Sequence, residues 1–261
     1  MTSQHVLGID IGGSGIKGAM VDLASGELAT DRLRIPTPGE STPQAVALVV
    51  KAIVDNFADE VGDGPVGITI PAVVTHGVTR TAANIHKSWI DASAELIFED
   101  VLGRDIFLMN DADAAGIAEV VYGAAKGHPG LVIVTTLGTG IGSAIINGGE
   151  LLPNSEIGHL EIDGRDAETF AAASVREREN LSFDEYVPRL QRYYETVENL
   201  FWPDLFVVGG GVSKHHKKFL PKLNIRTPII PAELRNAAGI VGAAWLAVQR
   251  KNNPDPLRAT S

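Results

Sequence analysis

The chain has 261 residues with 44% hydrophobic and 21% charged residues, values typical of a globular protein with one large or two medium domains. The formal net charge of −10 argues against binding of nucleic acid. No apolar run is long enough to span a membrane, so no membrane partner is expected. The chain contains no cysteine, which excludes disulfides and thiolate zinc sites, and with no signal-peptide pattern at its start a cytoplasmic location is expected.

The first predicted elements are two strands on either side of a glycine loop. Gly13-x-Gly15-x-x-Gly18 has the spacing of the dinucleotide-binding fingerprint, which requires a helix directly after the loop. Here apolar and β-branched residues follow the loop, and a turn at 24–27 leads into further strand. A β-hairpin is therefore predicted, and nicotinamide binding is disfavoured. A P-loop is excluded because no Gly-x4-Gly-Lys-[Ser/Thr] string occurs.

The following elements alternate between helix and strand. Thr42 and Pro43 supply an N-cap and a first-turn proline for an amphipathic helix over 42–57. Further along the chain the patterns predict strands at 65–74, 106–109 and 205–208, and helices at 114–125, 183–201 and 236–249. The tail from 251 to 261 is expected to fray. This alternation indicates an α/β protein.

The glycine loop is repeated in the second half of the chain. Gly-Ser-Gly-Ile-Lys-Gly-Ala at 13–19 reappears as Gly-Thr-Gly-Ile-Gly-Ser-Ala at 138–144, and each copy is followed by Gly-Glu-Leu. A loop of bare backbone N–H groups forms an anion cradle. The repeat predicts two related lobes, each presenting a strand–loop–strand to a phosphate chain in a central cleft.

Several polar residues next to these elements are candidates for chemistry, and each has a structural alternative. Asp111 follows a predicted strand, where it is either a general base or part of a helix cap with Asn110 and Asp113. Asp10 either positions Mg2+ or forms a turn. Lys17 either contacts a phosphate or is a solvated strand residue, and the second interpretation is favoured.

Glu156 and His159 are three residues apart and share a face on a turn or short helix. One carboxylate and one histidine make a poor metal site, so this pair is interpreted as binding vicinal hydroxyls.

The ordered set of motifs resembles the ROK family of sugar kinases in the actin-like ATPase superfamily. Residues 10–17 and 136–142 resemble its two phosphate loops, 207–213 its adenosine motif, and 110–113 and 156–159 its sugar-site motifs. Within the family the chain is most similar to the polyphosphate/ATP glucokinases of actinobacteria, as the stretches 81–89 and 174–179 suggest.

The resemblance implies an actin-like ATPase (ribonuclease H-like) fold, with a smaller lobe at 1–109, a larger lobe at 110–235 and a closing helix at 236–250 that packs on the first lobe. It implies glucose or mannose phosphorylation at the 6-hydroxyl, using polyphosphate or ATP with Mg2+, in a homodimer. Asp111 is the implied general base, and the implied sugar-binding residues are Asn84, Asn110, Asp111, Glu156, His159 and Glu168. The implied phosphate and nucleotide residues are Asp10, Gly12, Gly13, Ser14, Gly15, Lys17, Thr136, Gly138, Thr139, Gly140, Gly209, Gly210 and Gly211.

One departure from the family, one further sugar-site residue and two charged segments refine this prediction. Many ROK proteins have a cysteine-rich zinc site after Glu-x-Gly-His, but this chain has no cysteine, so no zinc is predicted and His159 is expected to serve the sugar alone. Glu168 stands where the family places a further sugar-binding glutamate. The basic run at 214–218 is either a solvated helix start or a polyphosphate track formed by Lys214, Lys217 and Lys218. The alternation of arginine and glutamate at 176–179 favours an exposed, salt-bridged helix.

Other functions remain as alternatives. An ATP-only ROK hexokinase acting on another sugar has the same motifs. A non-catalytic ROK regulator carries a DNA-binding segment before the first loop, for which the ten residues preceding it leave no room. An actin-like filament or chaperone ATPase is usually longer and gives the sugar motifs no role.

Overall fold

The structure is a computed structural model that describes residues 5–82 and 85–258. The chain divides into two compact units: unit 1 is Met1–Ala118 with Ala237–Ser261, and unit 2 is Glu119–Asn236. This division falls inside a helix and comes later than the predicted residue 109. None of the helices in the described ranges combines the length and apolar character needed to cross a membrane.

The strands of the described chain are β1 (His5–Gly12), β2 (Gly15–Asp22), β3 (Glu27–Leu28), β4 (Leu33–Ile35), β5 (Val66–Ile70), β6 (Val74–Thr75), β7 (Val78–Thr79), β8 (Phe107–Asn110), β9 (Leu131–Leu137), β10 (Ile141–Asn147), β11 (Glu150–Leu152), β12 (Glu161–Ile162), β13 (Arg165–Asp166), β14 (Leu205–Gly209) and β15 (Ile229–Pro231). The α-helices are α1 (Pro43–Asn56), α2 (Ala58–Val61), α3 (Ala94–Leu102), α4 (Asp111–Val121), α5 (Glu168–Ala171), α6 (Ala173–Arg178), α7 (Phe183–Phe201) and α8 (Ala238–Asn252). Short 3-10 helices occur at Lys87–Trp89, Ile157–His159, Gly211–Lys218, Leu220–Lys222 and Arg235–Ala237.

The two main sheets share a topology around their glycine hairpins. In unit 1 the strand order is β3-β2-β1-β5-β8, with β4 also paired to β2. In unit 2 the order is β11-β10-β9-β14-β15. In each sheet the strand before the glycine turn pairs antiparallel with the strand after it and parallel with a third strand. The turn and the end of the third strand therefore lie at the same carboxyl edge, where open α/β sheets bind ligands.

Each unit has its own apolar core. In unit 1, α1 and α3 pack with the main sheet around Trp89 and Phe98, and α8 packs against β1 and β5. In unit 2, α7 supplies Tyr186, Tyr193 and Tyr194 to the core. Burial of these apolar surfaces is the main favourable contribution to folding.

The helix ends show where local sequence signals are strong. The Thr42 side chain accepts a hydrogen bond from the Ala45 N–H at 3.4 Å, which confirms the predicted N-cap. The predicted helix over 183–201 is confirmed, with a capping box between Ser182 and Glu185. The strand predicted at 65–74 was too long, because β5 ends at Ile70.

The helix after β8 differs from the prediction at both ends. It begins at Asp111 instead of 114, because Asn110 caps it from the end of the strand. It ends at Val121 instead of 125, because the buried Glu119 carboxylate accepts the Ala124 N–H at 2.8 Å and turns the chain.

The described part of the tail is held against unit 1, so the prediction of fraying was wrong for it. His76 Nδ1 lies 2.8 Å from Asp255 Oδ2, and Arg258 Nε donates to Glu95 Oε2 at 2.6 Å. These contacts join distant parts of the sequence, so no local sequence pattern predicts them.

Candidate functional site

The first glycine hairpin lies in unit 1 and has the predicted strand–loop–strand form. Gly12 pairs with Gly15 across the turn, and β2 follows directly, which confirms the hairpin over the dinucleotide-binding alternative. Thr37 Oγ1 donates to the Gly12 carbonyl at 2.6 Å, and Arg34 Nη2 donates to the Ser14 carbonyl at 2.7 Å. Both contacts use carbonyl oxygens, so they fix the turn without using its N–H groups.

Asp10 lies just before this turn and is held by two neighbouring strands. Thr69 Oγ1, on β5, donates to Asp10 Oδ1 at 3.0 Å, and Lys17 Nζ, on β2, lies 3.4 Å from Oδ2. Lys17 is therefore a partly exposed strand residue that forms an ion pair with Asp10, and its contact with a phosphate stays a prediction. A carboxylate oxygen is a ligand that Mg2+ prefers, so Asp10 fits a role at this ion.

Asn110 and Asp111 stand at the carboxyl end of β8, on the same sheet edge as the first turn. The Asn110 Oδ1 accepts the N–H groups of Ala112 at 2.8 Å and Asp113 at 3.1 Å, and its Nδ2 donates to the Ala72 carbonyl at 3.1 Å. Asn110 is thus the helix cap, and the contacts of the described residues occupy one of its two Nδ2 hydrogens.

Asp111 is the first residue of α4 and is half-buried. Its Oδ1 accepts the Ala112 N–H at 2.8 Å. With Asn110 as the cap, Asp111 stands beside it at the sheet edge. The predicted sugar residue Asn84 lies outside the described residues.

The second glycine hairpin lies in unit 2 and is braced by α5 and α6. Ser174 N–H donates to the Gly138 carbonyl at 3.0 Å, and Ser174 Oγ donates to the Thr139 carbonyl at 2.6 Å. Glu168 Oε2 accepts the Ile141 N–H at 3.1 Å. A Cβ added to Gly140 would lie 2.1 Å from Glu168 Oε2, so this glycine is needed for the glutamate to reach the loop.

The predicted adenosine motif lies beside this hairpin. Gly209 ends β14 and pairs with Thr136 on β9. Gly210 has a positive φ of 80°, and a Cβ on it would lie 2.2 Å from the Leu137 carbonyl oxygen. Only glycine allows this approach, which places Gly211 beside the second turn.

Glu156 precedes the 3-10 turn at Ile157–His159 and His159 ends it, so the two residues share one turn as their spacing predicted. His159 Nε2 lies 3.9 Å from Glu156 Oε2, and His159 Nδ1 lies 2.8 Å from Asp166 Oδ2. The hydrogen bond to Asp166 raises the pKa of His159, while burial raises the pKa of Glu156. Because Nδ1 is occupied by Asp166, Nε2 is the nitrogen left for a ligand, and the expected role of His159 at the sugar stays a prediction.

Asp166 was not predicted as a site residue, although a signal for its position was present. Asp163 and Gly164 both have positive φ values, 53° and 75°, and they form the tight turn between β12 and β13. Asp-Gly is a strong hairpin signal, and pairing across this hairpin sets Asp166 opposite Glu161, two residues from His159.

His159, Asp166 and Glu168 each offer one potential metal-ligand atom, and these atoms all lie within 4.8 Å of one another. Asp166 is already bound to the imidazole and Glu168 to a loop N–H. These contacts favour an organised hydrogen-bonding cluster, and the predicted absence of zinc stays a prediction.

The basic segment borders a cavity of about 320 Å³ in unit 2. Lys214 and His215 line it together with Gly138, Thr139 and Gly211, whereas Lys217 and Lys218 are exposed further along the 3-10 helix.

Arg176 lines the same cavity, and it is not the exposed, salt-bridged residue that its sequence pattern predicted. Its guanidinium carbon lies 4.1 Å from the centre of the Phe183 ring, and its side chain is half-buried. Arg178 is exposed and lies 3.7 Å from Glu179, as the pattern predicted.

Comparison with known proteins agrees with this arrangement. The sequence profile of the ROK family matches residues 6–177. The chain belongs to the ROK family. A polyphosphate glucokinase of Mycobacterium tuberculosis (strain ATCC 25177 / H37Ra) is 50% identical over 248 residues, 95% of this chain and 92% of the relative. A polyphosphate glucokinase of Mycobacterium leprae (strain TN) is 47% identical over 245 residues, 93% of this chain and 75% of the relative.

Among solved structures, an inorganic polyphosphate/ATP-glucomannokinase from Arthrobacter sp. strain KM is 52% identical, with a TM-score of 0.90 over 94% of this chain and 99% of that chain. The fold is therefore the actin-like ATPase fold of the ROK sugar kinases.

Proposed function

We propose that this ROK protein transfers a phosphoryl group from inorganic polyphosphate or ATP to the 6-hydroxyl of glucose, and also of mannose. The 50% identity to a polyphosphate glucokinase over nearly the whole chain supports the donor and the acceptor. Use of Mg2+, a homodimeric state and a cytoplasmic location belong to the same proposal.

One observation within unit 2 carries the proposal most directly. Glu168 is bound through Oε2 to the Ile141 N–H at the end of the second glycine turn, and it also belongs to the cluster with His159 and Asp166. A loop suited to phosphate and a cluster suited to hydroxyl groups are thus joined by one carboxylate. A phosphotransferase that acts on a sugar needs both, whereas a filament-forming ATPase has no use for the second.

The acceptor hydroxyl is activated by Asp111. The oxygen of the sugar 6-hydroxyl forms a bond to the terminal phosphorus of the donor. The bond from that phosphorus to the bridging oxygen breaks, and the hydroxyl proton passes to the Asp111 carboxylate. The leaving group is ADP, or a polyphosphate one unit shorter. Because the transition state is loose and deprotonation is late, positioning contributes more than base strength.

The other residues position the two substrates. Glu156, His159 and Glu168 bind sugar hydroxyls, and Asn110 contributes its remaining amide hydrogen. The backbone N–H groups of the two glycine turns bind donor phosphates. Asp10 would hold Mg2+, which would supply positive charge to offset the negative charge of those phosphates.

The experiment is to incubate the wild-type protein with glucose and Mg2+ and to measure glucose 6-phosphate with a coupled assay. ATP and long-chain polyphosphate are compared at matched phosphate concentration. Product with either donor supports a hexose kinase, and product with polyphosphate supports the full proposal. Product with ATP alone indicates an ATP-only ROK hexokinase. No product with either donor, from glucose or mannose, contradicts the proposal and favours another sugar or a non-catalytic sugar-binding regulator.

A further inference from the structure

The Arg176 side chain packs on an aromatic ring and carries a buried N–H group. Its guanidinium lies over the Phe183 ring in a close cation–π contact, 4.1 Å from Cζ to the ring centre. Its Nε is buried, and no hydrogen-bond partner for this atom occurs within the described ranges. A buried N–H of a charged group without a partner is costly. Structural arginines are normally paired with carboxylates, so this arrangement points to a ligand.

A second cation and an imidazole lie near the same aromatic ring. Lys218 Nζ lies 5.5 Å from the centre of the Phe183 ring, and the ring of His215 lies 5.6 Å from it. Partial burial, followed by the charges of Lys214, Lys218 and Arg176, lowers the pKa of His215. The neighbouring cations thus disfavour a charged imidazole, and an anion bound among Lys214, Lys218 and Arg176 would offset their mutual repulsion. Among the described residues that line the cavity, Glu177 is the only carboxylate, and its side chain is exposed.

The cluster is continuous with the second glycine turn. Gly138 and Thr139 line the cavity of about 320 Å³ at one side, and Arg176, Lys214 and His215 line it elsewhere. Ser174 joins the two, because its side chain binds the Thr139 carbonyl while it stands two residues before Arg176. An anion held by the turn therefore meets the cationic groups if it extends into the cavity.

We propose that Arg176, together with Lys214 and His215, binds the phosphate groups of polyphosphate that are not transferred. The inference rests on the proposed function and names the residues that recognise one of its donors. A guanidinium presents a planar fork of donors that matches phosphate oxygens, and stacking on Phe183 fixes that fork in advance. Polyphosphate repeats its charge at every unit, whereas ATP ends in an uncharged nucleoside. Positive charge lining the cavity therefore favours the polymer.

The test compares three arginine variants with the wild-type protein. Arg176→Gln removes the charge, Arg176→Lys keeps a charge without the fork, and Arg178→Gln is a matched control on the same helix whose side chain points to Glu179. KM and kcat are measured with long-chain polyphosphate and with ATP at saturating glucose. Loss of one charge-assisted contact predicts a rise of about tenfold in the polyphosphate KM of Arg176→Gln, with a much smaller rise for ATP.

Arg176→Lys is expected to fall between the wild-type protein and Arg176→Gln, and Arg178→Gln to leave both KM values unchanged. The dependence of the polyphosphate KM on salt should also weaken in Arg176→Gln, because fewer counterions are displaced on binding. An equal effect of Arg176→Gln on both donors, or no effect on polyphosphate, overturns the proposal.

Direct binding separates this inference from the function on which it rests. Isothermal calorimetry with long-chain polyphosphate, in the absence of sugar, measures the Kd of the wild-type protein, Arg176→Gln and Lys214→Gln. Weaker binding in both variants supports the cationic subsite even if no sugar is phosphorylated. If circular dichroism shows that Arg176→Gln does not fold, the binding of polyphosphate to Lys214→Gln, a variant at an exposed position, tests the proposal instead. Unchanged binding in the folded variants overturns the subsite, even if the protein proves to be a polyphosphate glucokinase.

Discussion

The Asp166 carboxylate and the His159 imidazole form a hydrogen-bonded pair, with 2.8 Å between Oδ2 and Nδ1. This contact orients the ring and leaves Nε2 toward Glu156, at 3.9 Å from its Oε2. Because Nδ1 is committed to Asp166, the nitrogen available for a sugar hydroxyl is Nε2. The pair thus defines both the tautomer and the direction of the imidazole.

Asp166→Asn is expected to lower the pKa of His159, because the carboxylate that favours the imidazolium is lost while the side-chain shape is kept. The glucose KM should rise several-fold, and the KM for ATP should stay unchanged. The pKa is measured by NMR titration of the imidazole. A His159 pKa equal to that of the wild-type protein would contradict the assignment.

The same contact makes a prediction about stability. The folded state holds the pKa of His159 above its unfolded value, so this contribution is complete below the unfolded pKa and is lost as pH rises through the folded pKa. We expect the wild-type protein to have a higher free energy of unfolding in urea than Asp166→Asn. This difference should be largest at about pH 5.5 and should shrink toward about pH 8.5. A difference that does not depend on pH would count against the ion pair.

Asp111→Asn is expected to retain glucose binding and to lose most turnover. The amide keeps the size of the side chain but cannot accept the hydroxyl proton, and loss of a general base typically lowers kcat by about 10²–10⁴-fold. The glucose Kd is followed by intrinsic fluorescence and kcat by the coupled assay. Near-normal turnover in this variant would remove Asp111 as the base.

Gly210→Ala is expected to destabilise unit 2, whereas Gly209→Ala should be tolerated. Gly210 has a φ of 80° and its added Cβ would meet backbone atoms of Leu137 at 2.2 Å, but a Cβ on Gly209 has no neighbour closer than 3.6 Å. Strain together with a backbone clash should lower the unfolding free energy by more than about 2 kcal/mol. Equal thermal stability of the two variants would contradict this explanation of the motif.

Tyr193→Phe and Tyr194→Phe form a matched pair of stability variants in α7. Tyr193 is fully buried, and within the described residues its hydroxyl has no hydrogen-bond partner, whereas the Tyr194 hydroxyl lies 2.7 Å from Thr135 Oγ1. Tyr193→Phe should leave the unfolding free energy unchanged or raise it, and Tyr194→Phe should lower it by about 1–2 kcal/mol. Both free energies are measured by denaturant unfolding. A larger loss of stability in Tyr193→Phe than in Tyr194→Phe would contradict this assignment of the hydrogen bonds.

Local sequence signals predicted much of the fold. The helix over 183–201 has a capping box and an apolar stripe, and both act within a few residues along the chain. The first glycine hairpin was likewise separable from a dinucleotide-binding loop, because strand-type residues follow it directly. Part of the candidate site was predictable for the same reason. Glu156 and His159 are three residues apart, and this spacing brings them together on one short turn.

Contacts set by strand register or by the packing of successive helices were not predictable in this way. Lys17 reaches Asp10 because the two are paired across the hairpin, and Arg176 lies on Phe183 because α6 and α7 are joined by a tight connection. In each case a charged side chain has a local pattern typical of solvent exposure. Its actual neighbour is set by strand register or helix packing, which charge alternation does not encode.

The measurement that tests the central claim most directly is NMR of the product formed by the wild-type protein from ¹³C-labelled glucose, Mg2+ and long-chain polyphosphate. The account predicts a phosphate monoester coupled to carbon 6, appearing together with a shortened polyphosphate chain. A labelled glucose that stays unphosphorylated, or that carries phosphate on another carbon, would contradict it.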